Sequence, residues 1–141
     1  MSVKTVKTVY VGRHKLLPAQ EKAIEELQLQ IVKTIENLPT EPSELSKLLQ
    51  QLINEGVQAI VTVALPPHLL AALSSKFKTY VFEMKSYTAD TVETAEKFVA
   101  ERPEYRTYLP GRPGEPVRLL EFTAVNEVKV IIESKRVWPT A

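Results

Sequence analysis

Hydrophobic positions along this chain change period several times, and each change marks an element. Lys4 to Val11 is a β-branched run, KTVKTVYV, stopped by Gly12, which predicts a first strand. Pro18 opens PAQEKAIEEL with Ile24 and Leu27 on one face; proline suits a first helical turn because that N–H has no helical partner. Leu29 to Lys33 reads as a short second strand. After Thr40, expected as an N-cap, EPSELSKLLQQLINEG sets Leu45, Leu48, Leu49, Leu52 and Ile53 on the single apolar stripe of a helix. Gly56 fits the left-handed residue that follows a helix end. Val57 to Leu65, VQAIVTVAL, is nearly apolar throughout, as in a strand covered on both faces.

Pro66-Pro67 ends that run, and HLLAALSSKF forms a short helix. Lys78 to Lys85 alternates Tyr80, Phe82 and Met84 with Val81, Glu83 and Lys85, the period of a strand with one wetter face. Asp90 is expected to cap DTVETAEKFVAERP, with Glu93 as its partner three residues on and Val92, Ala95, Phe98 and Val99 turned inward. LPGRPGEP, from Leu109 to Pro116, is turn-rich. Val117 to Val125 and Val128 to Trp138 then predict a C-terminal antiparallel hairpin around Asn126-Glu127, although Asn-Glu is a weak turn and pairing straight through Asn126 is the alternative.

Strands and helices in this order predict an α/β fold, a three-layer Rossmann-like sandwich. The simplest sheet is mainly parallel, in the order 2-1-3-4, with the hairpin extending one edge. One domain is expected over residues 1–141, with a βα core at 1–103 and the Pro/Gly loop and hairpin at 104–141.

Composition narrows the chemistry. With 141 residues the chain can bury a core without disulfides or a structural metal. Its lack of cysteine removes thiolate catalysis and Cys-based zinc sites, and fits a reducing cytoplasm. A net charge of +1 gives no broad footprint for nucleic acid. MSVKTVKTVY lacks the apolar core of a secretion signal, and no run approaches 18 apolar residues, so no membrane association is expected. Asp90 is the only aspartate, which removes paired-aspartate Mg²⁺ sites. Ten prolines with no cysteine lean toward a thermophile.

The two histidines, His14 and His68, each follow a predicted strand end. Open α/β sheets bind ligands at the carboxyl ends of their strands, where strand order reverses. If strands one and three are neighbours, the loop Gly12-Arg13-His14-Lys15, the segment Pro66-Pro67-His68 and the loop Ser86-Tyr87-Thr88 meet above that reversal. Helix N-termini and cations there favour an anion such as phosphate or carboxylate, and Arg13 offers a planar fork for it. Arg112, in the Pro/Gly loop, is a further candidate, arriving on a lid. The plainer alternatives are solvated loops, a capping His68 and a passive connector.

No G-x-G-x-x-G, P-loop, G-x-S-x-G or H-E-x-x-H pattern is present, so no cofactor or metal is expected. The first expectation is a module binding a phosphate-bearing, nucleotide-class small molecule through Gly12, Arg13, His14, Lys15, His68, Ser86, Tyr87, Thr88 and Arg112. The second is an enzyme in which His14 and His68 act as catalytic acid and base on a phosphoester. The third is a homodimeric interaction protein that pairs through the strand from Glu127 to Trp138.

Overall fold

Four strands pair in parallel in the expected order, and two more extend the sheet antiparallel. In a computed structural model describing residues 4–139, β1 (Val6–Val11) lies between β2 (Leu29–Ile35) and β3 (Ala59–Thr62). β4 (Lys78–Ala89) flanks β3, and β6 (Val117–Val128) and β5 (Arg106–Leu109) complete the order β2-β1-β3-β4-β6-β5. The helices of this α/β fold are α1 (Pro18–Glu26), α2 (Pro42–Asn54), α3 (Pro67–Ser74) and α4 (Val92–Glu101).

The alternation of β1 sorts the helices. Val9 and Val11 pack with Ile60, with Leu45, Leu49 and Leu52 of α2 and with Leu69 and Leu73 of α3. Tyr10, between them on the strand, packs instead with Ala59, Val61, Phe82, Phe122 and Ile24 of α1. Side chains one residue apart on a strand point to opposite faces, so α1 and the α2/α3 pair cover opposite sides of β1 and β3. A third cluster joins Ala89 and Val117 to Ala95 of α4.

Helix ends follow local chemistry. Gly56, at φ +88°, closes α2 in a Schellman motif. Its N–H donates to the Ile53 carbonyl, and the Val57 N–H to the Leu52 carbonyl. Pro42 at the first helical position makes Glu41 the N-cap of α2, one residue beyond the expected Thr40. For α4 the cap is Thr91, whose side chain accepts from the Thr94 N–H at 3.2 Å, instead of Asp90. The helix therefore begins at Val92, which is left half exposed.

The C-terminal region departs most from expectation. β6 runs unbroken through Asn126, which pairs with Val81, so the hairpin between Val117–Val125 and Val128–Trp138 does not form. An irregularity in the β4–β6 register between Glu83 and Met84 accommodates Thr123 without breaking the pairing. Pairing reaches Thr79 with Val128, one residue from the start of β4. Beyond Val128 no partner strand remains, and residues 129–139 run without regular structure. The partner across the Pro/Gly loop is β5, which pairs Leu109 with Arg118. β4 itself continues to Ala89, so Ser86, Tyr87 and Thr88 belong to a strand and not to a loop.

Candidate functional site

β1 and β3 are parallel neighbours, so the strand order does reverse between them. There the Thr62 hydroxyl, wholly buried, donates to the Val11 carbonyl at 2.9 Å and locks the two strand ends together. The Gly12 N–H donates to the Ile35 carbonyl, tying the following loop to β2. The buried Tyr10 ring passes under this loop, and its Oη donates to the His14 carbonyl at 3.1 Å. A Cβ at Gly12 would stand 2.6 Å from that Oη. Glycine is required here by close approach. Burial pushes the Tyr10 phenol above its ordinary pKa, which keeps it a neutral donor.

Three cavities border this loop, and His14 lines all of them. The most open, about 330 Å³, sets Glu21 and Glu36 beside Arg13 and Lys15. The other two are more enclosed. The first, about 350 Å³, is the switch-point crevice between Val11, Leu38, Thr62 and Leu69. Its guanidinium is already engaged: Arg13 Nε and Nη2 both donate to Asn37 Oδ1, at 3.1 and 2.7 Å. Glu36 also lines the crevice. A cation committed to an amide oxygen, with a carboxylate alongside, leaves little net attraction for an anion.

The second cavity, about 380 Å³, lies on the α1 side and has a different character. Phe82 and Met84 of β4, Leu120 of β6 and Leu17 before α1 supply apolar wall. His14, Lys15 and Arg118 supply the basic groups, and no carboxylate lines it. Arg118 Nε donates to Ser86 Oγ at 3.3 Å, which orients the guanidinium along the β4–β6 pair. Neither Lys15 nor Arg118 enters an ion pair among the described residues.

Gln20 adds directionality. It is buried to 5% exposure and lines the same cavity. Its Oε1 accepts from the Leu17 N–H at 2.8 Å, fixing the side chain across the first turn of α1. Its amide nitrogen reaches only the Met84 thioether, at 3.6 Å. Thioether sulfur is a weak acceptor, so this amide retains donor capacity toward an occupant of the cavity. The helix terminus offers less. Pro18 has no N–H, and the Ala19 N–H donates to the Glu104 carbonyl at 3.0 Å. The polar groups that face this cavity are therefore side chains, not free backbone donors at the start of α1.

Of the residues singled out by sequence, Gly12, Arg13, His14 and Lys15 gather around the loop, and Ser86 and His14 share the α1-side cavity. His68 faces elsewhere. It lines a groove of about 360 Å³ between α2 and α3, with Leu45, Leu49 and Ala72. No cavity described is lined by both histidines. Tyr87 pairs with Leu119 and packs edge-on against Phe98. Thr88 and Arg112 are exposed and border no cavity described. The residues that sequence reading missed are Gln20, Met84, Thr107 and Arg118.

A separate charged cluster braces the antiparallel extension. Glu121 Oε2 accepts from Arg106 Nε at 2.6 Å and from Arg102 Nη1 at 3.3 Å. Arg106 Nη1 also donates to the Phe98 carbonyl and to Glu101, and its guanidinium lies over the Phe98 ring. The hydrogen bond from Arg106 holds the Glu121 carboxyl below the ordinary glutamate range. Each charged side chain here is ion-paired within the chain, so the cluster reads as a clamp between α4, β5 and β6.

Among the described residues, no group of three or more His, Cys, Asp or Glu side chains is placed to hold a metal, and no helix is long and apolar enough to cross a membrane. Comparison with protein-family models, with curated proteins and with solved structures found no match.

Proposed function

We propose that the chain is a cytoplasmic, Rossmann-like binding module, a three-layer α/β sandwich that takes a small anionic molecule with an apolar body in its α1-side cavity. The observation that carries this reading is the pairing of an apolar wall with three basic groups and no carboxylate in one enclosure. Pockets for small ligands combine mostly apolar walls with a few polar groups that set orientation. In this reading Lys15 and Arg118 hold the anionic end, and Gln20 donates to an acceptor on the body. A phosphate-bearing, nucleotide-class ligand meets these requirements: its base packs against Met84 and Leu120, and its phosphate lies at the basic rim.

The test is thermal stabilisation by a panel of nucleotides, inorganic phosphate and aromatic carboxylates. A ligand present at 100 times its Kd stabilises the folded state by about 2.7 kcal/mol, a shift that is readily measured. Nucleotides are expected to raise Tm where phosphate alone does not, because phosphate has no body to bury. Absence of any shift across the panel overturns the reading.

A further inference from the structure

The last described segment of the chain is the least covered apolar stretch in the molecule. Ile131, Ile132, Val137 and Trp138 are 73–81% exposed, whereas no other large apolar side chain among the described residues exceeds 47%. The stretch is anchored at its root, where the Val130 N–H donates to Ser74 Oγ at 3.0 Å, at the end of α3. Beside that root lies an open groove between α2 and α3. Leu45, Leu49 and Ala72 form its floor, His68 and Lys76 stand along it, and no carboxylate lines it.

We propose that this segment of one copy lies in the α2/α3 groove of a second copy, and that reciprocal exchange closes a two-fold dimer. Length permits it. The eight residues 131–138 span roughly 26 Å when extended at about 3.3 Å each. The 13 residues of α2 make a helix of about 20 Å, so the segment can run the length of the groove. Charge favours it as well. Glu133 sits within the segment, and the groove carries Lys76 with no carboxylate beside it. Lys135 and Arg136 follow, and Glu41 and Glu44 stand at the start of α2 outside the groove, where Glu44 pairs with Lys47 and Glu41 accepts from Ser43.

The occupant is a second copy because every chain carries both halves of the contact, an exposed apolar segment and a groove with Leu45, Leu49 and Ala72 in its lining. A two-fold exchange satisfies each with the same surface pair, and closed symmetry limits the assembly to two.

Trp138 is the only tryptophan in the chain, so the unmodified protein reports on its own state. Emission of the full chain is followed with light-scattering mass over a dilution series. The expected result is a dimer with short-wavelength emission when concentrated, passing to a monomer with long-wavelength emission when dilute. Ile132→Glu, at an exposed position, is expected to give a monomer with long-wavelength emission at all concentrations while retaining the unmodified fold. The chain has no cysteine, so Lys135→Cys and Gln50→Cys chains can be mixed and joined by a short bifunctional thiol reagent; a product of twice the chain mass, absent from mixtures that also carry Ile132→Glu, is expected. A monomeric mass throughout, with either emission, overturns the proposal; short-wavelength emission in that case assigns the segment to its own groove. A dimer that persists unchanged in Ile132→Glu overturns it too.

Discussion

The two more enclosed cavities beside the Gly12-Lys15 loop share a histidine and differ in what their cations are doing. In the switch-point crevice, Arg13 is held by Asn37 and Glu36 stands alongside. The lining of the α1-side cavity has no carboxylate, although Lys15 also borders the open cavity that holds Glu21 and Glu36, and Arg118 is only lightly held by a serine hydroxyl. The crevice occupies the position where open α/β sheets ordinarily bind ligands. The cavity exists because β4 and β6 run on past the parallel sheet and rise beside α1. A basic residue at a strand end is therefore not enough to mark a site. What decides is whether its hydrogen bonds are already taken.

The sharpest way to break this comparison is to remove one guanidinium at a time. Arg118→Ala is expected to weaken ligand binding by roughly 1.5–3 kcal/mol, on the order of tenfold to a hundredfold in Kd, as for hydrogen bonds to charged groups. Arg13→Ala is expected to leave Kd nearly unchanged. Equal losses in calorimetric titrations of the two variants would erase the distinction between the cavities.

Gly12→Ala tests the loop they share. The new Cβ collides with Tyr10 Oη, and relieving it displaces the ring that holds the His14 carbonyl. A cost of about 1–3 kcal/mol in chemical denaturation is expected, typical of overpacking. The double variant Gly12→Ala, Tyr10→Phe should recover only part of it: the oxygen at 2.6 Å is gone, but the ring Cζ at 2.8 Å remains. A smaller effect is expected from Gln20→Leu. It removes the acceptor of the Leu17 N–H, costing roughly 1 kcal/mol as for lost helix caps, and weakens only those ligands that present an acceptor to the cavity wall.

The least perturbing test concerns the Glu121 clamp, which borders neither cavity. Its carboxyl lies below the ordinary range when folded. A group lowered in this way stabilises the fold above its unfolded pKa, and that contribution disappears as pH falls through the lowered folded value. The Tm advantage of the unmodified chain over Glu121→Gln should be constant near neutrality. It should shrink once pH drops below about 4.3, the ordinary glutamate value. An advantage that persists unchanged to pH 2 would show that the charge is not what the clamp uses.

How far the sequence could be read depended on where the partners of each residue lie. The parallel order was legible because Gly12, Gly56 and Pro66-Pro67 punctuate it and the apolar runs between them have distinct periods. Half of the loop cluster was legible for the same reason. His68 was placed correctly at a helix start, but its direction is set by helix phase. With Ala72 and Ser75 it forms a stripe turned toward α2, away from Leu69 and Leu73, which face the core. Arg118 was not legible because its place beside Ser86 depends on the register of two long antiparallel strands. Gln20 carried a faint signal: a glutamine three residues after the residue preceding a helix is the acceptor half of a capping box. The misplaced hairpin came from the same source. Asn126 tolerates positive φ but Glu127 does not, so the pair makes a poor two-residue turn, and tertiary pairing with Val81 carried the strand straight through it.

One backbone hydrogen bond ties the start of α1 to the bend before β5. The Ala19 N–H, in the first turn of α1, donates to the carbonyl of Glu104, in the bend between α4 and β5. Its solvent exchange therefore depends on a segment far away in the chain, not on the unwinding of its own helix. If the β5–β6 edge lifts from the sheet, this amide is released while deeper α1 amides stay protected. Exchange at Ala19 thus measures how often the wall of the α1-side cavity opens, and a ligand seated there should slow it before any other amide in the helix.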